Sequence, residues 1–147
     1  IGISLVHLRR SQNEADKTVL DGDLLAVTLP TESPGAALTG FCAAFSLAQQ
    51  PQADLRALYQ GWMDTVAALD IAGETGCFQP SLSRQQAAER HQALLQCRDL
   101  AVRIAQLERQ AAKERQLARQ VALNQTLQQL RRDRSMFVGR LKNSQDD

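Results

Sequence analysis

The sequence is short of most residues that build compact all-β cores. Aromatics make up 4% of its 147 residues, as four Phe, one Trp and one Tyr. Beside a 44% apolar fraction in which Ala and Leu dominate, this excludes a sandwich or barrel reading and favours a helical, partly coiled-coil-like chain. It also argues against stacking on unpaired bases. No apolar run approaches the ~20 residues of a membrane span, and no secretory signal is visible. The three cysteines, Cys42, Cys77 and Cys97, are odd in number and have no C-x-x-C spacing. They read as reduced, buried thiols of a cytoplasmic protein. His7 and His91 are the only histidines, and neither has further ligands at a zinc-like spacing. His91 and Cys97, six apart, fall on different helix faces, which argues against a nucleophile pair. There is no glycine-rich phosphate loop. No catalytic residue, cofactor or metal site is therefore expected.

What is present is unevenly distributed. The formal net charge of +1 hides two halves of opposite sign. Residues 1–80 hold four Lys/Arg against nine Asp/Glu, a balance of −5. Residues 81–142 hold thirteen against five, a balance of +8, and the last five residues add −2. A whole-chain charge thus says little about partners, since the second half is the basic half.

"IGISLVHLRR" reads as a strand and "SQNEADK" as a polar turn. A second strand is expected at about Leu24–Leu29, stopped by Pro30, with Asp21-Gly22-Asp23 as a turn. Two strands alone are marginal in water, so the chain reads as the C-terminal part of a longer protein, or as a processed one. "TESPGAALTG" is expected as a loop, and "FCAAFSLAQQP" fits a short segment of either type. Asp54 can cap a helix whose face runs Leu55, Leu58, Tyr59, Trp62, Val66 and Leu69, with Gly73 as its stop.

From Ser83 onward the pattern changes. Ser83 and Gln86 form a capping box, and no Gly or Pro follows until Gly139. An unbroken helix of that span would approach ~80 Å. One seam runs through Leu94, Cys97, Ala101, Ile104, Leu107 and Ala111, and another through Leu123, Leu127 and Leu130. They do not share a register across Ala111–Val121. Either the helix stutters there or it folds back near Glu108–Arg115. One continuous helix is the preferred reading. The predicted architecture is α+β: residues 1–80 a small hairpin-containing part with one amphipathic helix, residues 81–142 a long basic helix or helical hairpin, residues 143–147 a tail.

The stretch "IAQLERQAAKERQLARQVALNQTLQQLRR" resembles the C-terminal helix of an uncharacterised bacterial and archaeal family, the domain of unknown function numbered 4391. Leu107, Glu108, Lys113, Glu114, Gln116, Arg119, Val121, Leu123, Asn124, Leu127 and Leu130 match its pattern. "HLRRSQNEADK" is similar to the family's Y-K-R-x-x-E-x-D strand end, and "DLRALYQGWMDTVAAL" to its D-L-x-x-L-Y helix. Leu117-Ala118 and Leu8-Arg9 depart from the family's Phe-Asn and Tyr-Lys. The resemblance implies that an N-terminal α/β portion is absent here. It also implies a setting near DNA methyltransferases and helicases of restriction or phage-defence type. It carries over no catalytic residue.

Three functions follow in order. A lone amphipathic helix with an exposed stripe associates with something, so the first is an assembly subunit. Leu100, Ile104, Leu107, Leu123, Leu127 and Leu130 would hold a second copy or a protein partner, with Asn124 setting register. The second is sequence-independent DNA or RNA binding through Arg115, Arg119, Arg131, Arg132 and Arg134. The third is a metal-dependent nuclease drawing on Glu14, Asp16, Asp21 and Asp23, with most of its site elsewhere.

Overall fold

A computed structural model describes residues 2–14, 16–29 and 35–143. The order is β1 (Gly2–Arg10), β2 (Thr18–Thr28), α1 (Ala36–Ala44), a 3-10 turn (Leu47–Gln49), α2 (Leu55–Thr75), α3 (Arg84–Lys113) and α4 (Leu117–Asn143). The class is α+β. The chain divides into two compact units, Ile1–Ala87 and Ala88–Asp147. Pro30 and the first part of the expected loop at 31–40 lie outside the described residues, as does the tail at 144–147.

In the first unit β1 and β2 pair antiparallel around the polar turn, with Leu5 opposite Leu25 and Arg10 opposite Thr18. The register shifts between Leu5 and His7, because His7 pairs with Asp21. Over that step β1 advances two residues and β2 four, so Val6 faces the whole of Gly22–Leu24. Gly22 has φ +98°, a conformation that costs glycine little. Asp21-Gly22-Asp23 is therefore a bulge inside a strand rather than a turn, and β2 starts at Thr18, well before Leu24. A left-handed glycine serves a bulge as well as a turn, which is why the motif misleads.

The bulge leaves Val6 without a ladder partner, and α2 supplies one. The Tyr59 hydroxyl donates to Val6 O at 2.9 Å and accepts from Val6 N at 3.1 Å. One side chain thus satisfies both backbone groups and pins the hairpin to α2. Around it a core gathers Leu25, Phe41, Met63, Val66, Ala67 and Leu69, flanked by Ile3, Leu5, Val27, Phe45 and Phe78. Phe41 contacts Phe45 and Phe78 at ring distances of 5.1 and 6.0 Å. Trp62 stacks on Phe45 and donates to its carbonyl at 3.1 Å. Packing against helices is what lets a two-stranded sheet persist.

Ala36–Gly40 are helical, not a loop, since α1 begins directly after Gly35. α2 starts as expected, with Asp54 Oδ1 accepting from Ala57 N at 2.7 Å. It passes through Gly73 and ends at Gly76, whose φ of +77° makes it the left-handed stop. Leu55 is 83% exposed and takes no part in the buried face. Cys97 is buried, but Cys42 and Cys77 are exposed, against the expectation for all three. Cys42 lies on α1 directly after the inward Phe41, and Cys77 lies in the turn after α2.

The second unit is an antiparallel helical hairpin, so the preferred continuous helix does not form. Two contacts establish the fold-back. Arg131 Nη2 meets Glu108 Oε1 at 2.7 Å, and a cleft of about 550 Å³ is lined by Glu89–Gln96 residues and by Phe137, Arg140 and Leu141. The break falls at Glu114–Gln116, with neither Gly nor Pro. Glu114 Oε1 accepts from the amides of Arg115 and Gln116, each at 2.9 Å. A carboxylate folded onto the two amides that follow it occupies the connection and does what a breaker residue would do.

Candidate functional site

Two places bring polar chemistry together, the turn of the hairpin and a groove beside α2. At the turn, the last part of α3 carries Arg109 and Lys113, the connection carries Arg115, and the first turn of α4 carries Arg119. All four are exposed, and none makes an ion pair among the described residues. The nearby acids are engaged, Glu108 by Arg131 and Glu114 by the backbone. The fold-back thus gathers four cations into one solvated cluster. A continuous helix would have spread them along its length.

The structure places the expected nucleic-acid residues unequally. Arg115, Arg119 and Arg132 are exposed and make no ion pair among the described residues, Arg131 is held by Glu108, and Arg134 is half-buried. Arg90 is buried, and loss of solvent holds its guanidinium below the usual value. Among the expected partner residues, Leu100, Leu127 and Leu130 are buried by the chain itself. Ile104, Leu107 and Leu123 are half-buried, and Asn124 is exposed. The stripe that a lone helix would have shown to a partner is largely covered by the chain.

Two of the acids suggested for a nuclease are held in ion pairs of their own. Glu14 pairs with Lys17, and Asp21 with Arg9 at 3.5 Å. The side chain of Asp23 lies outside the described residues. No group of three or more His, Cys, Asp or Glu among the described residues could hold a metal ion. His91 is half-buried on α3.

The groove lies wholly in the first unit and encloses about 710 Å³. It is lined by the α2 residues Arg56, Gln60, Gly61 and Asp64 and by Arg84 at the start of α3. Gly61 is required for this shape. A Cβ there would collide with Gln50 Oε1 and Pro51 Cδ, where the chain before α2 crosses the helix. Gln50 is itself buried and fixed by donating to Ala44 O at 2.6 Å.

A hydrogen-bond chain reaches this lining from β1. His7 Nε2 contacts Gln60 Oε1 at 2.8 Å, and Gln60 Nε2 donates to Asp64 Oδ1 at 2.8 Å. His7 also packs edge-on against Tyr59 at 5.2 Å. Burial pushes the Asp64 carboxyl above its ordinary value, and the Gln60 bond and the charges of Arg84 and His7 oppose that shift. Sequence reasoning found no zinc-like ligand set around His7 and did not single out Gln60, Asp64 or Arg84. The only hint was the i, i+4 spacing of Gln60 and Asp64 on one helix. They meet His7, 53 residues away, only because β1 packs on α2.

The profile of a family described as a domain of unknown function, DUF4391, matches residues 1–133. The chain belongs to this family. Among curated proteins and among solved structures nothing matches it. The DUF4391 match takes in the β-hairpin, α2, the groove and the hairpin tip, and ends within α4. No helix among the described residues is long and apolar enough to cross a membrane.

Proposed function

We propose that this DUF4391 chain binds the phosphate backbone of nucleic acid, without reading sequence, through the tip of its helical hairpin. The observation that carries this reading is the run of Arg109, Lys113, Arg115 and Arg119, exposed and without an ion pair among the described residues, within eleven positions. Guanidinium and ammonium groups free of internal partners exchange condensed counterions for phosphate. The tip carries no aromatic side chain, so stacking on bases contributes nothing and duplex backbone is the matching target. The DNA-modification or phage-defence setting implied by the family resemblance is compatible with such contact.

The test is fluorescence anisotropy with a labelled duplex across a salt series. With about four phosphates neutralised, log affinity falls against log salt with a slope of about −3.6. Arg115→Glu with Arg119→Glu abolishes binding at moderate salt. An affinity insensitive to salt, or unchanged in the double variant, overturns the reading.

A second reading keeps the hairpin as an assembly surface for another copy of the chain. Its support is the apolar surface left uncovered: Leu95 and Val102 on α3, and Leu117, Val121 and Met136 on α4, each 47–75% exposed. Absolute mass by light scattering after nuclease treatment tests it. A dimer that survives high salt supports it, and a monomer at all concentrations rules it out.

A further inference from the structure

The groove beside α2 is independent of the hairpin tip. Its chemistry has two parts. Arg56 and Arg84 make no ion pair among the described residues. The charge of Arg84 reaches Asp64, yet no salt bridge closes between them, so guanidinium and carboxylate stand apart within the groove. Asp64 is held as an acceptor by the chain from His7 through Gln60, which fixes which end of the Gln60 amide meets the carboxylate. Pro51 and Leu82 add apolar lining.

Two guanidiniums match one phosphate, since each offers a planar fork of donors to anionic oxygens. A fixed carboxylate beside them matches hydroxyl donors on the same molecule. We propose that this groove binds a small monophosphate ester bearing hydroxyl groups, a pentose phosphate or a mononucleotide, with its phosphate on Arg84 and Arg56 and a hydroxyl on Asp64. The volume of about 710 Å³ lies within the range of small-molecule sites. Phosphate capture by arginine also needs no glycine-rich loop, and the sequence has none.

The experiment titrates ribose 5-phosphate, ribose, inorganic phosphate and AMP into the full 147-residue chain, followed by amide NMR shifts at Gly61 and Arg84 and by the Gln60 side-chain amide. Ribose 5-phosphate is expected to bind at least about tenfold more tightly than ribose or inorganic phosphate alone. Arg84→Gln and Arg56→Gln should each weaken it by about tenfold. Asp64→Asn should weaken ribose 5-phosphate while leaving inorganic phosphate unchanged, which a loss of fold would not do. AMP binding more tightly than ribose 5-phosphate would assign a nucleotide, its base lying on Pro51 and Leu82. Equal binding would assign a pentose phosphate. If ribose 5-phosphate shifts these amides no more than inorganic phosphate does, the proposal fails. It fails equally if Arg56→Gln, at an exposed position that leaves the fold intact, binds as the parent chain does.

Discussion

Five of the six aromatic side chains lie in the first unit, and Phe137 alone lies in the second. The first unit spends them on a core that ties residues far apart in sequence. Tyr59 reaches Val6, Trp62 reaches the Phe45 carbonyl, and Phe41 sits between Phe45 and Phe78. The second unit buries a row of small and medium side chains, among them Leu94, Cys97, Leu100, Ala111, Leu127, Leu130 and Leu141. Its side-chain bonds run along a helix, as from Gln129 to Asp133, and Arg131–Glu108 crosses between helices. Stability in the first unit is therefore concentrated in a few irreplaceable contacts. In the second it is spread over a stripe of interchangeable ones. Function divides the same way, with a shaped, hydrogen-bonded groove in one unit and a solvated cluster of charge in the other.

Substitutions can break this comparison. Phe41→Ala should have the largest effect, about 3–5 kcal/mol, because it removes the centre of the aromatic cluster and leaves a cavity. Urea unfolding followed by Trp62 fluorescence measures it. Leu127→Ala in the hairpin should cost about 2–3 kcal/mol, at the low end for this change, since a single stripe can close over the gap. Equal losses for the two variants would end the distinction between concentrated and spread stability. Tyr59→Phe keeps the ring and removes the hydroxyl that serves both backbone groups of Val6. It should cost about 1–3 kcal/mol, and hydrogen exchange at the Val6 amide should quicken while exchange in α4 stays as it was.

The smallest effect sharpens the comparison through pH. The Asp64 carboxyl is raised in the folded chain, so between the ordinary aspartate value of 3.8 and its raised value the folded state binds more protons than the unfolded one. In that window the contribution of Asp64 to stability is present at the acid end and is lost as pH rises. Asp64→Asn should lack this decline, and thermal unfolding of the two proteins across mildly acidic pH should converge at the acid end and diverge above it. Parallel curves would show that Asp64 is not desolvated as the groove requires.

Much of this was legible without coordinates. The Asp54 cap rests on one side chain and the amide three residues on, and so does Ser83 with Gln86, whose amide donates to Ser83 Oγ at 3.1 Å. The first strand, the polar turn and the start of α2 followed from period and punctuation. What misled was punctuation with two meanings, or none. Gly22 marks a bulge where a turn was read, Gly73 sits inside a helix, and the break between α3 and α4 at 114–116 carries no breaker residue.

The sequence by itself determined the class, the aromatic-poor basic second half, the starts of α2 and α3 and the membership signalled by its motifs, because each depends on neighbours a few residues apart. Only the tertiary structure decided that the long helical text folds back, which turned a presumed partner seam into covered surface and gathered Arg109, Lys113, Arg115 and Arg119 at one tip. It also decided that His7 meets Gln60 and that Arg84 meets the groove of Asp64. Neither the two-residue slip in strand register nor the glutamate closing over its own backbone leaves a periodic mark in the order of residues.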